Sequence, residues 1–275
     1  MASEGLQGHR ARKRFGQNFL HARHWIERIA KAVNATEGDD IVEIGPGQAA
    51  LTRELIAGAG KVRAVEIDRD LAAWLKETFP ESLSLIEANA LTLDWTQVAK
   101  NDNLRVVGNL PYNISSPLLF KLLEAADHVK DQHFMLQKEV VDRMVAQHGS
   151  KTYGRLSVML QWRYRMQKLF DVPPGAFNPP PKVMSSVVRM IPKTKEEVPS
   201  VDFELFSSVV ANAFSQRRKT IRNALSALLS AEEIAACDVD PGARAEALPL
   251  DAFVRLAQKA EALGRKAVTP GTTVD

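Results

Sequence analysis

The stretch VVGNLPYNISSP, residues 106–117, runs two valines and a glycine into Asn109, Leu110, Pro111 and Tyr112. An amide, a carbonyl held by a following proline and an aromatic ring, in that order, suit the alkylation of an exocyclic amine on a flat base such as adenine. The lone pair of that amine is delocalised into the ring, which makes the nitrogen a poor nucleophile. Two acceptors placed on its hydrogens would pull it toward tetrahedral geometry and aim the lone pair at a methyl donor. The Asn109 carboxamide oxygen offers one acceptor and the Leu110 carbonyl the other. Pro111 fixes the chain direction and restricts Leu110 to an extended conformation. Tyr112 supplies a face for the base, and its electrons suit the positive charge developing on nitrogen. No strong base is required, because the methylated nitrogen becomes acidic and loses its proton afterwards. Catalysis of this kind is mostly orientation and electrostatics.

A methyl donor needs a site of its own. EIGPGQAALT (43–52) follows an apolar run and opens a helical one, and Gly45, Gly47 and Ala50 fit G-x-G-x-x-G/A. Glu66 ends the next apolar run 19 residues after Gly47, where an acid can bind a ribose diol. Alone, this pattern also fits a dinucleotide such as NAD. Pro46 removes one backbone N–H that a pyrophosphate would use. S-adenosylmethionine has adenosine and no phosphates, and loses nothing by it. Asp68 is placed to cap the helix that follows.

These residues require a frame. From residue 40 onward, DIVEIG, VRAVEID (62–68), LSLIEA and LRVVGN read as strands, with helices at 49–58, RDLAAWLKETF and PLLFKLLEAA. HFMLQ (133–137) and SVMLQWRY (157–164) continue the series as strands. Such alternation predicts an α/β fold, a Rossmann-like doubly wound parallel sheet with helices on both faces. Residues 109–112 then end the fourth strand, at the edge where such sheets place their ligands. Composition changes at PKTKEEVPS (192–200), and the helical spacing beyond it predicts a small C-terminal all-helical domain. The expected layout is a basic arm (1–23) that begins the cofactor site, a methyltransferase domain (24–195) and a helical RNA-binding domain (196–275), disordered from Lys266.

The net charge of +3 on 275 residues hides a segregation: +4 over residues 1–23, −6 over 24–104, +6 over 105–200 and −1 over 201–275. An acidic region followed by basic patches fits a small-molecule site coupled to a polyanion-binding surface. Arg217, Arg218, Lys219 and Arg222 crowd like charges where a helix is expected to start, an arrangement better suited to phosphates than to an isolated helix. RARKR (10–14) is expected to act likewise as a flexible arm. One cysteine, Cys237, excludes an internal disulfide and a multi-Cys zinc site, and the six histidines show no metal-binding spacing. With no membrane-length apolar run and no signal-peptide h-region, the expectation is a cytoplasmic monomer without metal.

RFGQNFL (14–20), VEIGPG (42–47), AVEIDRDL (64–71), NLPYNIS (109–115), FNPPPKVMSSVVR (177–189) and FSQRRKTIRNAL (214–225) occur in order along nearly the whole chain. In these motifs the sequence resembles the KsgA-type (RsmA) small-subunit rRNA adenine N6,N6-dimethyltransferases. The resemblance implies dimethylation of two adjacent adenosines in the 3′-terminal hairpin of 16S rRNA, with S-adenosylmethionine as donor and the small (30S) subunit or its precursor as partner. It also implies that Asn18, Leu20, Gly45, Glu66, Asn89 and Asn109 surround the cofactor, together with the turn at Gly47. Phe177, at the head of three prolines, is expected to stack on the target base opposite Tyr112. The family usually has glycine at Ala49, where a methyl would narrow the turn, and aspartate at Asn89, whose amide accepts more weakly. Two other readings share parts of this pattern: the Erm-type 23S rRNA adenine methyltransferases, and a non-catalytic ribosome-assembly factor on the same fold.

Overall fold

The alternating apolar runs assemble as a sheet in a computed structural model, which describes residue 6 and residues 16–99, 102–216 and 218–270. The chain forms two compact units: residues up to Val141 with Arg165–Pro192, and Asp142–Tyr164 with the chain from Lys193 onward. Arg217 and the RARKR arm lie outside the described residues.

In the first unit the order is β1 (Phe19–Leu20), α1 (Arg23–Val33), β2 (Ile41–Ile44), α2 (Ala50–Ala59), β3 (Val62–Glu66), α3 (Arg69–Thr78) and β4 (Leu83–Glu87). It continues with α4 (Trp95–Val98), β5 (Leu104–Asn109), α5 (Ser115–Leu122), β6 (Val129–Gln137) and α6 (Lys138–Met144), during which the chain passes into the second unit. After α7 (Arg155–Arg163) it returns through β7 (Tyr164–Val172), β8 (Phe177–Asn178) and β9 (Ser185–Pro192). Among the described residues, seven strands form one sheet in the order β4-β3-β2-β5-β6-β9-β7. β2 through β6 pair in parallel, while β9 runs antiparallel to β6. β1 and β8 make a separate antiparallel pair, Leu20 opposite Phe177.

Local chemistry explains these elements. All four residues of β2 are buried, as a strand covered on both faces requires. α1 turns Ile26, Ile29 and Val33 inward and stops at Asn34, whose left-handed backbone (φ 51°) returns its N–H to the Ala30 carbonyl. α3 starts at Asp68, whose side chain accepts the Asp70 N–H, and buries Leu71, Ala72 and Leu75. The order of connections reverses at β2, flanked by β3 on one side and β5 on the other, which opens a crevice beyond their carboxyl ends.

At the opposite end of these strands a buried arginine ties four segments together. Arg105, 5% exposed at the start of β5, meets Asp131 on β6 through Nε and Nη2, both at 2.9 Å. Its Nη1 lies 2.7 Å from Asp39, and Nη2 also donates to the Val33 carbonyl at the end of α1 (2.6 Å).

The second unit holds α7, α8 (Phe203–Ala213), α9 (Ile221–Ala224), α10 (Ala231–Ala235) and α11 (Leu250–Ala262). Here the structure departs from the sequence reading in four ways. SVMLQWRY is not a strand but most of α7, and only Tyr164 begins the strand that follows. Leu156, Ser157, Val158, Met159 and Leu160 are buried in succession, because α7 packs against both α8 and α11. A continuous apolar run does not distinguish a buried strand from a buried helix. The units also differ from the expected layout, since residues 142–164 join the helical part. Arg218 and Lys219 precede a helix rather than open one, and α9 begins only at Ile221. The segment is held by Ile221 N–H on the Ala243 carbonyl (2.8 Å) and Arg222 N–H on that of Pro241 (3.1 Å). Finally, the expected disordered tail is anchored at Val268, whose N–H donates to Ser208 Oγ (2.9 Å) and whose carbonyl accepts from Asn212 Nδ2 (3.0 Å). Among the described residues, no helix is long and apolar enough to cross a membrane.

Candidate active site

β2 leaves the sheet through Gly45, Pro46 and Gly47, and the Gly45 N–H binds the Val65 carbonyl of β3 (2.9 Å). Gly47 has φ +55°, and a Cβ there would meet the Phe19 ring at 3.1 Å. Both observations demand glycine. Ala49 also takes a left-handed backbone (φ 60°), but it is fully buried in the core and does not line the cavity described below. Its methyl packs in the core and lies outside the cavity lining.

Glu66 closes β3 with 4% exposure. One oxygen accepts the Asp68 N–H (2.8 Å) and the other the Gly47 N–H (3.4 Å). Burial raises its pKa, and the N–H groups of Asp68 and Gly47 oppose the rise. Gln17 Nε2 in turn donates to Asp68 Oδ2 (3.1 Å), linking the N-terminal segment to this corner. The acid is thus oriented before any ligand arrives. With S-adenosylmethionine, the donor expected from the sequence, Glu66→Ala should raise the KM about 10- to 100-fold, the loss of a hydrogen bond to a charged group. The saturated rate should change less, and initial-rate titrations with the cofactor check both.

Asn109 ends β5, and its Nδ2 donates to the Asn18 carbonyl (3.0 Å). With the donor half of the amide engaged, Oδ1 is left as an acceptor. The Leu110 N–H is bound by the Met135 carbonyl of β6 (3.1 Å), and the Pro111 carbonyl accepts the Ile114 N–H (3.2 Å). Tyr112 is half-buried, with its hydroxyl 2.7 Å from Ser185 Oγ and its carbonyl bound by Ser115 Oγ (3.1 Å). Burial raises the tyrosine pKa, against the Ser185 hydrogen bond, so the ring is neutral.

These groups surround a cavity of about 320 Å³, lined by residues 16–20, 43–48, 65–67, 88–90, 108–114 and 133–135 with a few others. Among the described residues its titratable side chains are Glu43, Glu66, Tyr112 and His133, and no lysine or arginine lines it. Burial pulls His133 down to about 4, so that imidazole is neutral. The wall is acidic, which suits a cationic occupant and not a pyrophosphate. Ile67, an apolar side chain 44% exposed directly after Glu66, lines the cavity and can cover a flat base. Sequence reasoning passed over it, along with Gln17, Phe19 and Glu43, although an apolar residue directly after the strand-end acid was the available signal. Asn18 and Leu20 line the cavity as expected. Asn89 lines it too, but its Oδ1 accepts the Leu91 N–H (3.0 Å). An aspartate would keep a second acceptor oxygen where the amide has a donor.

Phe177 is not part of this assembly. It is 2% exposed, pairs with Leu20 through β8 and packs in the core with Val172 and Ala176, so its ring offers no face to a base. On that loop the exposed apolar groups are Val183 and Met184. Arg218, Lys219 and Arg222 are exposed in the second unit.

A parallel sheet reversing at β2, a glycine turn facing a strand-end acid, and an Asn-Leu-Pro-Tyr edge on an acidic cavity define a Rossmann-like methyltransferase. The chain belongs to the ribosomal RNA adenine dimethylase family, whose model matches residues 8–261. It is 56% identical over 241 residues to the ribosomal RNA small subunit methyltransferase A of Thiobacillus denitrificans, covering 87% of this chain and 94% of that protein. With the protein of the same name from Acinetobacter baylyi it shares 52% over 256 residues, 92% of this chain and 93% of the relative. A dimethyladenosine transferase from Plasmodium falciparum has a similar structure, with TM-score 0.78 and 25% identity over 89% of this chain and 98% of the other. The 23S rRNA methyltransferase ErmE follows at TM-score 0.68, also 25% identical, over 89% of this chain and all of ErmE.

Proposed function

We propose that the protein dimethylates N6 of two adjacent adenosines in the 3′-terminal hairpin of 16S rRNA, acting on the small subunit with S-adenosylmethionine as donor. The observation that carries this reading is the Asn109 amide: its Nδ2 donates to the Asn18 carbonyl, which leaves Oδ1 as the acceptor of a residue that lines the cavity together with Tyr112. When bound, the cofactor supplies an electrophilic methyl on a sulfonium. Glu66 holds the ribose, Ile67 covers the adenine, and the acidic wall favours the cation. Asn109 Oδ1 and the Leu110 carbonyl take the hydrogens of the target amine, and Tyr112 carries the base. A base inside a helix is out of reach, so the adenosine is loop-presented or flipped, at a cost of a few kcal/mol. The small-subunit name of relatives more than half identical to this chain supports 16S over the 23S substrate of the Erm type. An NAD reading gives residues 109–112 no role and meets a cavity that, among the described residues, has no lysine or arginine.

Arg218, Lys219 and Arg222 are assigned to phosphate contacts, which position the RNA without reading its sequence. Arg217 belongs to the same group by sequence. Methyl incorporation should be compared on unmethylated small subunits, naked 16S rRNA, a short hairpin and large-subunit RNA at several salt concentrations. The expected order puts small subunits first, because a folded subunit engages more of the basic surface than a hairpin. Arg218→Glu with Lys219→Glu should weaken subunit binding and flatten its salt dependence, with the methylated positions unchanged. Preferential modification of large-subunit RNA, or equal rates on the hairpin, would overturn the substrate assignment.

A further inference from the structure

Glu43 lies in the middle of β2, opposite Ala64 of β3 and Val107 of β5, is 2% exposed and lines the cofactor cavity. Its hydrogen bond comes from α2, where Thr52 Oγ1 donates to Oε2 at 2.7 Å. Among the described residues no lysine or arginine pairs with it. On β3, Arg63 is engaged with Asp40, and Glu66 contributes a like charge. On β5, Arg105 is engaged with Asp131 and Asp39. On α2, Arg53 lies over the Phe79 ring, and Glu54 faces Arg23. From α1 the cavity receives Ile29, while Arg28 sits over Trp25 and Phe170; from β6 it receives the neutral His133. A buried carboxylate with one hydroxyl for company is expensive to ionise, and a cation beside it removes that cost.

We propose that Glu43 senses the charge of the cofactor: it is protonated in the empty cavity, releases that proton to solvent when the sulfonium donor enters, and takes one back once methyl transfer leaves a neutral thioether. The proposal rests on the S-adenosylmethionine reading above. It separates donor from spent product by charge, the property in which they differ most. Burial, with Glu66 adding and Thr52 opposing, holds the free Glu43 carboxyl up at about 7. The sign follows directly: the ionised form favours the cation, so donor affinity grows as pH rises through that value. Between pH 6 and 8 the donor affinity should rise about tenfold, and affinity for the thioether no more than about threefold.

Isothermal titration calorimetry on the full chain tests this, with S-adenosylmethionine and S-adenosylhomocysteine at pH 6, 7 and 8 in two buffers of different ionisation heat. The native protein should release protons on binding the donor and fewer on binding the thioether. Glu43→Gln should bind the donor with pH-independent affinity and little proton release, which separates Glu43 from Glu66. Should that variant not fold, a carbon-13 carboxyl titration of the native protein reports the Glu43 ionisation directly. That ionisation should move to lower pH when the donor is bound and stay put with the thioether. Donor affinity that is flat with pH, equal proton release with the thioether, or unchanged release in Glu43→Gln would overturn the proposal while leaving the cofactor reading intact. No donor binding at any pH would instead overturn the cofactor reading, and this proposal with it.

Discussion

Asn109→Ala is expected to lower single-turnover methyl transfer by two or more orders of magnitude while weakening cofactor binding far less. Removing one hydrogen bond that matters mainly in the transition state costs about 10²–10³ in rate. The proposed mechanism makes Asn109 such a residue: its Nδ2 already bonds the Asn18 carbonyl, so Oδ1 would accept from the adenine amine without reorganisation of that bond. Asn109→Asp tests the same geometry from the other side: a carboxylate facing the Asn18 carbonyl meets another acceptor, so the side chain should rotate and the rate should fall despite a stronger acceptor. Rates from rapid quench, set against cofactor affinities from calorimetry, separate orientation from binding. Transfer by Asn109→Ala at close to the native rate would show that the orientation mechanism is wrong.

The second large effect is on stability. Arg105→Leu should cost about 3–5 kcal/mol, because it strands Asp131 in the interior and leaves Asp39, among the described residues, with only Thr36 and Lys130. Burial works to raise the Asp39 pKa, but the Thr36 N–H and the Arg105 guanidinium outweigh it and hold the carboxyl down at about 2. A depressed carboxyl adds stability at neutral pH that disappears as pH falls from the ordinary carboxylate range toward about 2. The gap between native and variant should therefore be widest at pH 7 and narrower at pH 3, as urea unfolding at the two pH values can show. Adding Asp131→Leu to Arg105→Leu should restore part of the loss, since an apolar pair is cheaper than a lone buried charge. An Arg105→Leu protein as stable as the native one at pH 7 would mean that the network carries no net stabilisation.

What could be read in the sequence was what local chemistry determines. Gly45 and Gly47 announce a turn with positive φ, Glu66 an acid at a strand end, and Asn109 to Tyr112 a polar edge on an apolar strand. Asp68 caps α3 as its position implied. What escaped depends on partners distant along the chain. Nothing near Arg105 in sequence marks it as the partner of Asp131 and Asp39, which lie 26 and 66 residues away. Phe177 reads equally well as a ring for a base or as core, and the Leu20 pairing across the chain decides for core. In α7 a run of apolar residues matches both periods, and only the helices made later, α8 and α11, settle it. β7 and β9 went unrecognised because an antiparallel edge added after the helical excursion breaks the strand–helix alternation used to count strands.

The passage of the chain out of the sheet unit at Val141 and back at Arg165 sets a schedule for synthesis. On an emerging chain, domains generally fold as units from the N-terminal end. The strands β2 to β6 find their neighbours in order as they appear. α7 does not: its buried face of Leu156, Val158, Met159 and Leu160 is complete long before α8 and α11 exist to cover it. Through that interval the nascent protein carries an uncovered apolar helix, a target for chaperones. A ribosome stalled before α11 should therefore hold a chain whose sheet is largely paired and whose second unit is still unformed.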